Sequence, residues 1–185
     1  MSGIVVAVVL VVLVLLVIFA IMTFNRLVSL RNRVDSAWAQ IDVQLKRRHD
    51  LIPNLVETVK GYAAHERETL ERVIQARNLA IAAQGPQAQA EAENALSGTL
   101  KSLFAVTERY PVLKANQNFL QLQEELTSTE DRIAYSRQFF NDSVQKLNTT
   151  IETFPSMFFA GAAKATRREY FRTDENDRSN VQVQF

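Results

Sequence analysis

The feature that most constrains this chain lies at its start. Residues Ile4 to Met22 are nineteen positions without a charge, nearly all Val, Leu and Ile. At about 1.5 Å per residue an α-helix of that length measures roughly 28 Å, close to the thickness of a bilayer's hydrocarbon core. Two readings compete for such a run, an uncleaved anchor and a cleaved signal peptide. Met1-Ser2-Gly3 carries no basic residue and no small-x-small cleavage site follows the run, which favours the anchor. The anchor is assigned to residues 1–24, with Ile4, Val12, Phe19 and Met22 as membrane-anchoring positions.

Flanking charge gives the direction. The N-terminal flank has no Lys or Arg, whereas Arg26, Arg31 and Arg33 follow the run. Basic residues stay on the cytoplasmic side, so the N-terminus is expected outside and residues 25–185 inside. The same three arginines can meet anionic headgroups, worth about 1 kcal/mol each. Lys46-Arg47-Arg48 lies some 20 residues further on, roughly 30 Å along a helix and several Debye lengths of about 8 Å away. It reads as a solvated face, with Asp42 four residues before Lys46 as its helical partner.

The other 160 or so residues suit one compact domain. A net charge of +1 gives no global basic field, so no nucleic-acid partner is expected. With 47% hydrophobic and 22% charged residues the chain has the composition of a folded protein. It has no Cys, which excludes disulfides, thiolate zinc sites, thiol catalysis and a Cys-linked lipid. Five Gly and four Pro leave few places for turns, which favours long helices over an all-β fold.

Four helical stretches follow the anchor. The first, about Phe24 to Lys60, carries the apolar seam Leu27, Leu30, Val34, Trp38, Ile41, Leu45, His49, Ile52, Val56 and Val59. From Val34 its steps of four, three and four repeat every eleven residues, which keeps a helix nearly straight. Pro53 sits inside the pattern, and because the seam continues through it we expect a kink near His49 and not an end. His49, on the seam, is expected as a hydrogen-bonded core residue. A second helix runs from about His65 to Ala83, with Leu70, Val73, Ile74, Ala80 and Ile81 inward. Gln84-Gly85-Pro86 stops it and starts a third, about Gln87 to Arg109, on the seam Ala92, Leu96, Thr99, Leu103, Val106 and Tyr110. The fourth, about Ala115 to Thr153, carries Phe119, Leu122, Leu126, Thr129, Ile133, Ser136, Phe140, Val144, Leu147 and Ile151. Short connections between amphipathic helices imply an all-α fold: an N-terminal transmembrane helix, then an antiparallel up-and-down four-helix bundle with coiled-coil-like seams over residues 25–154, two helices long and two shorter. Residues 155–185 remain as a membrane-proximal segment and tail.

The residues themselves resemble a known family. The runs Leu27-Val28-Ser29-Leu30-Arg31-Asn32-Arg33-Val34-Asp35 and Ala37-Trp38-Ala39-Gln40-Ile41-Asp42-Val43-Gln44-Leu45-Lys46-Arg47-Arg48-His49-Asp50-Leu51-Ile52-Pro53-Asn54-Leu55-Val56 are similar to the LemA family of bacterial membrane proteins. So are Asn118-Phe119-Leu120-Gln121-Leu122-Gln123-Glu124-Glu125-Leu126 and Phe154-Pro155-Ser156. The resemblance covers nearly the whole chain, and less of the segment after Phe159. It implies a bacterial inner-membrane protein, single-pass, with a short external N-terminus and a helical bundle. It implies no reaction.

Helix lengths carry a separate argument. The first and fourth stretches measure roughly 55 and 58 Å, the second and third roughly 28 and 34 Å. A short hairpin covers only part of a longer pair, leaving about residues 27–42 against 135–153 as a two-helix ribbon. Two helices cannot shield Leu27, Leu30, Val34, Trp38, Phe140, Val144, Leu147 and Ile151 from water, and exposed apolar patches mark interfaces. We therefore expect homo-oligomerisation through these eight residues; the alternative is a bundle that closes on itself.

In an up-and-down bundle the fourth helix returns to the bilayer. Phe154-Pro155-Ser156-Met157-Phe158-Phe159 then arrives at membrane height, with Lys164, Arg167 and Arg168 after it. Met157, Phe158 and Phe159 suit an interfacial second anchor, against the alternative of a tail folded onto the bundle. Val181-Gln182-Val183-Gln184-Phe185 alternates as a short strand would, or frays.

Little chemistry is written here. Neither His49 nor His65 has Glu three residues before it, as a di-iron bundle requires, and His65-Glu66 lacks the second His of a zinc-protease helix. Gly85 and Gly98 are isolated, so no phosphate loop is formed. No catalytic, cofactor or metal residue is expected. The chain reads as a non-enzymatic scaffold that self-assembles at the cytoplasmic membrane face, with an adaptor or regulator of a membrane protein, such as a protease, as the alternative.

Overall fold

The computed structural model describes residues 2–172, and the region is helical, with no strand among the described residues. The alternation foreseen for Val181–Phe185 lies outside them. Six helices follow in order: α1 Ser2–Tyr62, α2 Arg67–Ala82, α3 Pro86–Thr107, α4 Pro111–Lys114, α5 Gln117–Glu152 and α6 Met157–Ala160.

The anchor and the first amphipathic stretch are one 61-residue helix, which passes through Pro53. Its first third is the one helix segment of the described residues long and apolar enough to cross a membrane, with nothing in its most apolar window buried. Chain chemistry sets the other boundaries. Gly85 holds φ +85°, a conformation that side chains with a Cβ avoid, and Pro86 opens α3 at the position where a missing N–H costs nothing. Asn116 caps α5, its Oδ1 accepting from the Phe119 N–H at 3.0 Å.

The chain divides into two compact units. One comprises Gln40–Gln138 with Glu169–Phe185. Its core draws on the second half of α1 (Ile52, Leu55, Val59), on α2 (Leu70, Val73), on α3 (Leu96, Leu103) and on the first half of α5 (Phe119, Leu126). The fourth-helix seam is buried as its spacing requires, from Phe119 through Ile133, with Leu122 half-buried. On α2 the inward face is narrower than expected, because Ile81 is 52% exposed.

The other unit comprises Met1–Ala39 with Phe139–Arg168. Here the structure corrects an expectation. Leu27, Leu30, Val34, Phe140, Val144 and Leu147 are each 6% exposed or less within the single chain, and Trp38 and Ile151 are half-buried. They are not an open oligomer face. Residues 153–168 supply the cover that helix lengths do not reveal: they return along the two helices and bury Ala163 and Ala165. Three polar fastenings hold that return: Arg31 Nη1 donates to the Ala163 carbonyl at 3.0 Å, Asn148 brackets the Arg168 backbone with two bonds of 2.9 Å, and Arg168 pairs with Asp35 at 3.0 Å.

Candidate membrane interface

The positions assigned to the anchor all face outward. Ile4 is 73% exposed and Met22 67%, with Val12 and Phe19 at about half. A helix so apolar and so bare matches hydrocarbon as its surroundings. The three arginines assigned to headgroups divide. Arg26 and Arg33 are exposed, the latter with its guanidinium 5.0 Å from the Phe139 ring centre. Arg31 is turned inward onto the Ala163 carbonyl, so its charge serves the return segment.

Within this unit the register of the two long helices can be read from their fastenings. Trp38 packs on Phe140 with ring centres 5.3 Å apart, and further along α5 Asn148 meets Asp35 through Arg168. Position rises in α5 as it falls in α1, so the two run antiparallel, and the end of α5 falls level with about residues 20–26 at 1.5 Å per residue. Burial agrees: Ala20 is half-buried and Thr23 only 8% exposed, although their neighbours in the apolar run are bare.

Beyond α5 comes a turn that presents apolar side chains to solvent. Phe154 is 78% exposed, Phe158 71% and Met157 50%. Phe154 and Phe158 meet edge to face at 5.9 Å. Phe159, assigned with Met157 and Phe158 to an outward anchor, is half-buried instead. The turn that follows α6 closes left-handed: Lys164 takes φ +49° and the Ala165 N–H reaches back to the Ala160 carbonyl at 2.9 Å.

The unit built around residues 40–138 holds a polar cluster that a reading of apolar seams passes over. Glu93 is 3% exposed on the inner stripe of α3, three residues before Leu96 and seven before Leu100. His49 Nε2 lies 2.7 Å from Glu93 Oε1, and since a carboxylate only accepts, Nε2 carries the hydrogen. Arg48 Nη1 pairs with Glu93 Oε2 at 3.3 Å and with Glu130 at 3.1 Å, while Nη2 donates to Ser97 at 2.6 Å. Gln89 donates to Glu93 at 3.0 Å and Arg77 to the His49 carbonyl at 2.7 Å. His49 is thus the hydrogen-bonded core residue its place on the seam implied. Arg48 is not part of a solvated run: three positions after Leu45, it is carried onto the buried face. Nearby on α1, burial raises the Asp42 carboxyl above its usual range. Among the described residues no three of His, Asp and Glu gather as a metal site would need.

Among the described residues, one apolar N-terminal span followed by helices with buried seams defines a class, helical proteins with an N-terminal membrane-type helix. The comparison with family models places the chain within it: residues 37–185 match the LemA family, and the chain belongs to that family. Among curated proteins it is similar to Protein LemA of Metamycoplasma hominis, 27% identical over 161 residues that cover 85% of this chain and 72% of the relative. It is also similar to Magnetosome protein MamQ of Magnetospirillum gryphiswaldense, 24% identical over 177 residues, and to Magnetosome protein MamQ 1 of Paramagnetospirillum magneticum, 23% identical over 178. Both alignments cover 82% of this chain and 65% of the relative, so the chain spans about two thirds of those proteins' length. None of these names states a reaction.

Proposed function

We propose that this chain is a membrane-anchored, non-enzymatic scaffold at the cytoplasmic face of a bacterial inner membrane. Its N-terminus lies outside, and its helical body, an antiparallel up-and-down bundle with two long and two shorter members, acts by presenting surface to other molecules. The family and the names of its relatives support a membrane-associated protein without catalysis. The charge asymmetry around Ile4–Met22 supports the orientation. The histidine–carboxylate–arginine cluster supports it too, since both oxygens of Glu93 and the Nε2 of His49 are already engaged in holding helices together.

Such a scaffold acts by self-assembly or as an adaptor or regulator of another membrane protein, such as a protease. The burial of Leu27, Leu30, Val34, Phe140, Val144 and Leu147 inside one chain favours the adaptor. A body whose apolar seam is sealed has no need of sister copies to cover it, and any self-assembly must use another face. Full-length protein in lipid nanodiscs, weighed by mass photometry and cross-linked in native membranes, separates the modes. One chain per disc and no homo-oligomer ladder is the expected result; a regular ladder of copies replaces the adaptor with the self-assembling scaffold. Protease added outside spheroplasts should leave residues 25–185 intact, and their digestion would reverse the orientation.

A further inference from the structure

We infer that Phe154, Met157 and Phe158 form a second membrane contact, a foot that enters the interfacial layer of the bilayer beside the anchoring helix. The inference rests on the anchored reading above, and it commits to lipid as the occupant.

Four observations converge on it. The three side chains are exposed by half or more in a segment that buries Ala163 and Ala165 and half-buries Phe159. Exposure is therefore selective: the return turns Phe159 partly inward and leaves Phe154, Met157 and Phe158 out. The antiparallel register puts the end of α5 level with about residues 20–26, where the uncharged run of α1 gives way to Asn25 and Arg26. A helix immersed through Ile4–Met22 brings that level to the boundary between hydrocarbon and headgroups, where Phe and Met are stabilised and aromatic rings concentrate. Exposed basic residues surround the foot. Arg26 stands on the facing helix at the same level, Lys164 follows six residues after Phe158, and Arg167 reaches back to Glu152 at 2.9 Å, two residues before Phe154. That combination of apolar centre and cationic rim complements an anionic leaflet. Finally, the foot is braced. The Phe154–Phe158 edge-to-face pair and the left-handed turn after α6 shape it, and the Arg31 and Asn148 fastenings hold the segment that follows to both long helices.

The consequence is a two-point attachment. A single helix leaves the body attached to it free to tilt and spin about its axis; a second contact one helix width away restricts both.

Because the chain has no native Cys, single cysteines can report depth in the intact protein. Full-length Met157→Cys, Val12→Cys and Ser36→Cys variants, each carrying an environment-sensitive fluorophore, are reconstituted into phosphatidylcholine–phosphatidylglycerol vesicles containing nitroxide lipids. Ser36 is exposed in the same unit, fourteen residues past Met22 or about 21 Å along α1. The expected result is quenching at 157 by shallow nitroxides, at 12 by deep ones and at 36 by neither. Phe154→Ser with Phe158→Ser, added to the Met157 reporter, should abolish most of the shallow quenching and leave the Val12 signal unchanged in its own series. An unquenched 157 beside a quenched 12 overturns the foot and leaves the anchor standing. An unquenched 12 overturns the anchor instead. Cross-linking between copies at 157 without lipid quenching overturns the foot in favour of a protein contact, and quenching that survives the double substitution shows that these rings do not make the contact.

Discussion

The two units solve the same problem with different means. Each begins from a pair of long helices whose facing seams repeat every three or four residues, and a pair alone cannot close a core. In the unit around residues 40–138 the closure comes from α2 and α3, and among the residues buried there Glu93 meets both Arg48 and His49. In the unit holding residues 1–39 and 139–168 the closure is largely irregular chain, and its backbone is caught by Arg31 and Asn148. Helices satisfy their own backbone and leave side chains free to pack, so a helical lid tolerates a hydrogen-bonded polar triad in its midst. An irregular lid must have its carbonyls and amides satisfied from outside, so its supporting helices carry polar residues at set places. One unit therefore spends polar side chains on each other and the other spends them on main chain.

If that contrast is right, removing the irregular lid has the largest effect. A chain ending at Thr153 exposes the seam around Leu27, Val34, Val144 and Leu147, and it should self-associate in mild detergent where the intact chain stays monomeric, by analytical ultracentrifugation. A truncated chain that remains a folded monomer would show that α1 and α5 seal the seam unaided.

Next comes the helical core. Glu93→Ala leaves Arg48 and His49 buried without their shared carboxylate, and breaking a buried pair costs about 3–5 kcal/mol. Glu130 and Ser97 still reach Arg48, which sets the expectation at the lower end of that range. Urea unfolding followed by circular dichroism checks it. Replacing the pair together, Arg48→Met with Glu93→Leu, should recover most of the loss, because an apolar core of similar volume needs no charge compensation. If the double replacement is as damaging as the single one, the cluster serves something besides packing.

How much of this was legible beforehand follows from the same contrast. The seams of α1 and α5 were readable residue by residue, since helical burial repeats with a period that apolar residues reveal; His49 was placed correctly because it falls on that period. Glu93 and Arg48 occupy the same faces, yet a seam drawn through apolar residues skips them. Their spacing from Leu96 and Leu45 was the available signal, and the pairing of opposite charges on two inner faces would have completed it. The lid over the ribbon had no such signal. Residues 161–168 have no period, and what seats them is side-chain bonds to their backbone from Arg31, 132 positions before Ala163, and from Asn148, 20 positions before Arg168. The foot was half legible: the return of the fourth helix to the bilayer pointed to Met157, Phe158 and Phe159, whereas in the fold Phe159 is turned in and Phe154 out.

Asn148 tests the irregular lid with a smaller perturbation. Its side chain is 5% exposed for the whole residue, and it both donates to and accepts from the Arg168 backbone. Asn148→Ala leaves a buried N–H and a carbonyl without partners, at about 1–3 kcal/mol. Hydrogen exchange should rise across residues 161–168 and stay unchanged in α2 and α3; a uniform rise would mean that the lid and the helical core unfold as one.

The smallest effect has the opposite sign. Lys164 holds φ +49° in the turn after α6, and chains that close with a bond such as Ala165 N–H to the Ala160 carbonyl usually place glycine there. An L side chain in that region costs about 1 kcal/mol relative to glycine, because its Cβ crowds the following carbonyl. Lys164→Gly relieves that crowding, and glycine also makes the unfolded chain more flexible, which offsets part of the gain. The expected outcome is a stabilisation of less than about 1 kcal/mol, seen as a small rise in the urea midpoint. Lys164→Ala keeps the Cβ and removes only the charge, so it should not stabilise. If alanine helps as much as glycine, the gain comes from the lost cation, and the left-handed turn imposes no conformational cost on the lid.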